Sequence, residues 1–159
     1  MNKRLLIFTI CFFLTLSAFA QSTADEIETL LETSAVTYAQ AARFILQAAD
    51  VTVTDDSWFE YAADKNWLPK NVSANDTARL DGIALLVMRS FNLKGGILYS
   101  AAKTPHYAYR ELVYQNIIQG ITDPAMTVNG DTLLFFVNRL FFFRDGDTPD
   151  AAETAILDN

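Results

Sequence analysis

Cysteine is all but missing from this sequence, with Cys11 the one thiol in 159 residues. It lies inside an apolar run near the N-terminus and is followed by Phe12 and Phe13, a setting that does not suit lipoprotein processing. No disulfide framework and no Cys/His nucleophile pair can be built from it. Histidine is as scarce: His106 stands alone, so no metal cluster with recognisable ligand spacing can be read and no cofactor is called for. Positive charge is also short, 12 Lys and Arg against 19 Asp and Glu. A chain this acidic has no electrostatic footprint for nucleic acid, and its net field repels anionic surfaces. Long apolar runs are lacking too. The stretch Leu133 to Phe143 has only 11 residues, broken by Asn138 and Arg139 and opened by Asn129, Gly130 and Asp131. It cannot cross a hydrocarbon layer of ~30 Å, and it lacks the basic face of an interfacial membrane helix.

What is present begins with MNKRLLIFTICFFLTLSAFAQS. Lys3 and Arg4 precede an apolar run from Leu5 to Leu16, and Ala18-Phe19-Ala20 forms a small-x-small cleavage site. These are the three parts of an export signal, so residues 1–20 are expected to be removed, leaving a mature chain from Gln21 in the periplasm or cell envelope. Losing Lys3 and Arg4 leaves ten cations against nineteen acids, a formal charge of −9. With no mature cysteine, stability has to come from a core, and 51% apolar residues are enough to build one over 21–144. Residues 145–159 carry five acids and no base and read as an acidic flexible tail.

The domain reads as helix. Asp25 to Glu32 is a short acidic amphipathic stretch with Ile27, Leu30 and Leu31 on one side. Thr37 and Gln40 have capping-box spacing, and Ala41, Phe44, Ile45 and Ala48 follow at i, i+3, i+4, i+7. Val51 to Ser57 is a connector. Trp58–Lys65 and His106–Gln115 are predicted helices that close at Asn66 and Asn116, a residue that tolerates the left-handed conformation after a helix.

Sliding the chain by 50 residues sets Asn66 on Asn116, Thr77 on Thr127, Asp81 on Asp131, Val87 on Val137, Arg89 on Arg139 and Phe91 on Phe141. Apolar runs align with them, Ile83–Val87 over Leu133–Val137. A poorer third copy follows from setting Thr37 on Thr77. Five positions after each threonine stand Ala42, Gly82 and Thr132, small enough for close helix approach. Leu86 and Phe136 then occupy equivalent core positions. Repeats over 35–65, 66–105 and 106–143 predict an all-α pseudo-threefold bundle or prism.

Asn116-Ile117-Ile118-Gln119-Gly120, preceded by Leu112, and Thr37-Tyr38-Ala39-Gln40 resemble the "G-I-I-x-G" and "T-R-A-E" motifs of the S-layer homology domains of bacterial envelope proteins. The resemblance covers about residues 35 to 143. It implies a three-copy helical prism that binds cell-wall polysaccharide through the arginine after each threonine. Here Tyr38, Ala78 and Val128 hold that position, Arg79 falls one residue late, and Gly130 replaces a capping acid. The arginine fork that recognises carboxylate or phosphate is therefore gone.

These residues lead to a non-catalytic binding or scaffolding module of the envelope, engaging first a protein partner in the periplasm and, as the alternative, peptidoglycan or another cell-wall glycan. Paired carboxylates drawn from Glu60, Asp64, Asp81, Glu111 and Asp131 leave glycan cleavage as a third reading. The candidate binding residues are His106, Tyr107, Tyr109 and Arg110, the densest grouping of polar aromatics beside a cation.

Overall fold

The computed structural model describes residues 24–120 and 123–145. The expected leader and residues 146–159 of the expected tail lie outside them. Every element among the described residues is a helix, with only isolated bridges between extended residues, so the all-α expectation holds. None of these helices is long and apolar enough to cross a membrane.

The chain divides after Thr33 into two compact units. The first holds α1, residues 24–31. Its predicted apolar side is only partly covered. Leu30 is buried, but Ile27 is 38% and Leu31 45% exposed, because the covered arc is narrower than the three-residue stripe.

The second unit contains α2 (Tyr38–Ala48), α3 (Trp58–Asp64), α4 (Leu80–Ser90), α5 (Ile97–Ala102), α6 (Pro105–Tyr114) and α7 (Gly130–Asp145). Helix α4 packs against α6 and α2, and α2 also meets α3 and α7. Between Leu80 and Met88 α4 buries every residue except Asp81, while α2 contributes Ala41, Ala42, Ile45 and Leu46, and α7 contributes Leu133, Phe136 and Leu140.

The residues just before α2, α4 and α7 are joined by a closed ring of three backbone hydrogen bonds. Val36 N–H donates to Val128 O (2.8 Å), Val128 N–H to Ala78 O (3.3 Å), and Ala78 N–H to Val36 O (2.8 Å). All three residues are fully buried. From this ring each chain segment enters its helix. The carbonyls of Thr37, Arg79 and Asn129 accept from Ala41, Ile83 and Leu133, which makes those three residues the N-caps. The alignment of Thr37 with Thr77 is thus corrected by two positions. Thr37 corresponds to Arg79, and Thr77 lies opposite Thr37 as its bridge partner.

The three caps solve the orphan-amide problem differently. Thr37 and Gln40 form the predicted capping box, with Thr37 N–H donating to Gln40 Oε1 at 2.9 Å and Gln40 N–H to Thr37 Oγ1 at 3.3 Å. Asn129 Oδ1 accepts from Thr132 N–H at 2.9 Å. Arg79 has no side-chain acceptor, and α4 relies on neighbouring backbone. Leu80 and Asp81 N–H donate to Met126 and Pro124 carbonyls, both at 2.9 Å. Arg79 N–H itself donates to the hydroxyl of Tyr38, whose ring lies where a Cβ on Gly82 would stand. Gly82 is small for a side chain as well as for a helix.

Four helices end alike. Asp50, Asn66, Asn92 and Asn116 take φ of 56°, 56°, 51° and 57°. The next residue donates back into the helix: Val51 to Leu46, Trp67 to Ala62, Leu93 to Met88 and Ile117 to Leu112, at 2.9–3.0 Å. These are Schellman closures with Asn or Asp in place of glycine. The cap-to-cap distance is 42 residues from Thr37 to Arg79 and 50 from Arg79 to Asn129. The extra eight fall between Asn92 and α6, where α5 stands.

Candidate functional site

Helix α6 starts because Thr104 caps it, its hydroxyl accepting from Tyr107 N–H at 3.5 Å, and because Pro105 is pre-set for a first helical position. Ala108 and Leu112 turn its inner face to the core. At 100° per residue, His106, Arg110 and Tyr114 follow one another up the opposite side, and all three are exposed, Tyr114 at 86%. Tyr107 joins this arc, half-buried, with its ring edge-on to His106 at 5.4 Å and 69°. Tyr109 lies on the flank between arc and core, also half-buried. Three of the four predicted residues therefore share a face that Tyr114 and Val113 extend, and the fourth borders it.

A second region has no counterpart in the sequence reading. Beside the C-terminal end of α4, a cleft of about 530 Å³ is lined by Trp67, Arg89, Lys94, Tyr99, Ser100 and Lys103, among others. Among the described residues no Asp or Glu lines it. The segment that builds its outer wall is the eight-residue excess. Gly95 makes room for the Tyr99 ring, since a Cβ there would lie 2.5 Å from Tyr99 Cδ1, and Lys94 is held through its carbonyl, which accepts from Gln115 Nε2 at 2.9 Å. Lys103 closes α5 in the left-handed conformation. Burial pushes the Tyr99 phenol above its usual range, with Arg89 opposing and Glu111 adding to the shift. The signal that could have found this region is a length difference: the spacing of the caps grows by eight residues, and the surplus is bracketed by lysines and opens with two glycines.

Both sets of positions that could match the resembled family's arginine are closed to solvent: Tyr38, Ala78 and Val128 after the threonines, and Leu80 and Gly130 after the N-caps of α4 and α7. Arg79 is exposed and pairs with Asp81 at 2.9 Å. Elsewhere, Asp56 accepts from Trp58 Nε1 at 2.6 Å and stands 3.9 Å from Arg43, beside a smaller cleft. Glu60, Asp64 and Asp131 are exposed helical carboxylates, and Glu111 approaches Gly96. Among the described residues no three His, Cys, Asp or Glu side chains are grouped so as to hold a metal. No protein-family model matches the chain, and no curated protein or solved structure does so either.

Proposed function

We propose that this chain is an exported, non-catalytic binding or scaffolding module of the bacterial cell envelope that engages a protein partner in the periplasm. Its architecture in this reading is a pseudo-threefold helical prism of degenerate S-layer-homology-like repeats. The ring of Val36, Ala78 and Val128 and the three equivalent caps support that symmetry.

One observation carries the functional reading: the exposed arc of His106, Arg110 and Tyr114 with Tyr107 beside it. Tyr and Arg are residue types on which binding energy concentrates, because Tyr offers a flat face with a polar end and Arg a planar guanidinium with several donors. Tyr114 leaves most of its ring in water. Wall binding by the family's own chemistry has less support, since the three positions that would present cations are buried. The sole histidine contacts Tyr107 and shows no acid partner among the described residues, which favours a contact role over general-base work.

The test is a parallel series of pull-downs from envelope extract and co-sedimentation with purified peptidoglycan sacculi. Comparing the parent protein with the Tyr107→Ala, Arg110→Ala pair, we expect stoichiometric recovery of one envelope protein by the parent alone, and weak sacculus binding by both. Strong, salt-sensitive sacculus binding by the parent would replace the protein partner with the wall glycan.

A further inference from the structure

The cleft beside α4 gathers Arg89, Lys94 and Lys103, three of the 12 cations in an acidic chain. None of the three is ion-paired among the described residues, and the stretch from Ile83 to Arg110 holds four cations and no acid. Glu111 comes near, where a Cβ on Gly96 would lie 3.0 Å from its Oε1, yet it does not line the cleft. Arg89 Nε and the Tyr99 hydroxyl are buried behind this lining and find no partner among the described residues. Tyr99 is only 5% exposed, so its hydroxyl is positioned by packing. Trp67 supplies a half-exposed flat ring at the same cleft, held edge-on by Tyr61 at 5.8 Å.

We infer that this cleft binds a phosphomonoester carried on a small ring-bearing molecule, such as a sugar phosphate. The dianion sits among Arg89, Lys94 and Lys103, and the attached ring lies on Trp67. Three unpaired cations match a group of charge near −2 better than a single carboxylate. The arginine offers a planar fork and the lysines two point charges, and the exposed Ser100 hydroxyl can add a neutral hydrogen bond. A volume of 530 Å³ is within the usual range for small-molecule sites, roughly 300–1,000 Å³. The site is independent of the protein partner proposed for α6.

The experiment is calorimetric titration of the purified protein with four probes: glucose 6-phosphate, inorganic phosphate, glucuronate and glucose. We expect glucose 6-phosphate to bind about tenfold more tightly than inorganic phosphate or glucuronate, and glucose not to bind. In a Trp58→Phe background Trp67 is the one remaining tryptophan, and its emission should change on adding glucose 6-phosphate. The Lys94→Gln, Lys103→Gln pair should lose about tenfold or more in affinity, while Lys70→Gln, in a different cleft, should lose none. Raising the salt should weaken the parent's binding without any mutation, so a poorly folding variant does not remove the test. Glucuronate binding as tightly as glucose 6-phosphate would overturn the dianion, and inorganic phosphate doing so would overturn the ring contact. Absence of any heat up to ~10 mM would overturn the site itself.

Discussion

Helices α4 and α7 share a sequence pattern at a spacing of 50 residues and yet live in different surroundings. Leu85 is 3% exposed and its counterpart Phe135 is 49% exposed, although Leu86 and Phe136, one position on, are both buried. The reason lies in what covers each helix. Helix α4 has α2 on one side and α6 on another, whereas α7 leans on α2. The twin arginines differ in the same way. Arg139 donates to the carbonyl of Asn116 at 2.6 Å and lies over the Phe135 ring, so it fastens α7 to the end of α6. Arg89 lines the cleft beside α5. Residues 50 positions apart in sequence thus hold like places on their helices and differ in role because their neighbours differ.

The sharpest way to break this comparison is to truncate the shared core position. Phe136→Ala should cost about 3–5 kcal/mol and Leu86→Ala about 2–5 kcal/mol, because each removes buried carbon and leaves a cavity. Urea melts of the two variants test this. A Phe136→Ala protein as stable as the parent would remove α7 from the core and dissolve the equivalence.

Next in size is the pair Gly82 and Thr132. A Cβ at Gly82 collides with the Tyr38 ring and lies 3.0 Å from Pro69 Cγ, so Gly82→Ala should destabilise by roughly 1–3 kcal/mol. The ring that must shift also accepts the N-cap amide of α4. Thr132→Ala, at the matching position of α7, should stay within about 0.5 kcal/mol, the scale of a change that removes little buried contact. Thermal melts that shifted equally for both would show that the two helix entrances are packed alike, contrary to the structure.

How much of this could be read in advance depended on whether the signal was local. The capping box of Thr37 and Gln40 and the stops at Asn66 and Asn116 were legible, because each is a contact within a few residues whose chemistry the side chains declare. The 50-residue spacing was legible because α4 and α7 keep their apolar pattern in step. Setting Thr37 on Thr77 misses the match between N-caps by two residues, because α4 begins at Arg79, a residue with no capping oxygen. Its cap is built from the Met126 and Pro124 carbonyls and the Tyr38 hydroxyl, all distant in sequence. The cleft beside α5 has no local signal either, its one mark in the sequence being the difference between the cap spacings. On α6, the grouping of His106, Tyr107 and Arg110 was visible, but the departure of Tyr109 to the flank follows from Ala108 and Leu112 setting the buried face.

A smaller effect separates the caps. Asn129→Ala and Thr37→Ala should each cost about 1 kcal/mol by freeing an amide at N3. Arg79→Ala should cost well under that, since its side chain caps nothing and its pair with Asp81 is on the surface, where such pairs contribute about 0–1 kcal/mol. Denaturant midpoints of the three variants give the ranking. Arg79→Ala as costly as Thr37→Ala would mean that the guanidinium anchors α4 in a way its exposed geometry does not explain.

The smallest effect expected is at Phe135, and it bears on what the cluster of phenylalanines is for. Phe135 touches Phe136 at 6.2 Å with a 58° tilt and lies under Arg139, 5.7 Å from the ring centroid. An exposed cation–π contact is worth roughly 0.5–1 kcal/mol. Alanine recovers a few tenths to ~0.7 kcal/mol in helix propensity. Phe135→Ala should therefore change stability by no more than about 0.5 kcal/mol, against about 2–5 kcal/mol for Leu85→Ala at the matching place on α4. The measurement is a pair of melts at two protein concentrations. A loss above about 2 kcal/mol at Phe135, growing with protein concentration, would mean that a second copy of the chain covers the ring in solution, because only then does stability depend on mass action. A loss of that size at every concentration would instead mean that α7 is more deeply packed than α4's example implies.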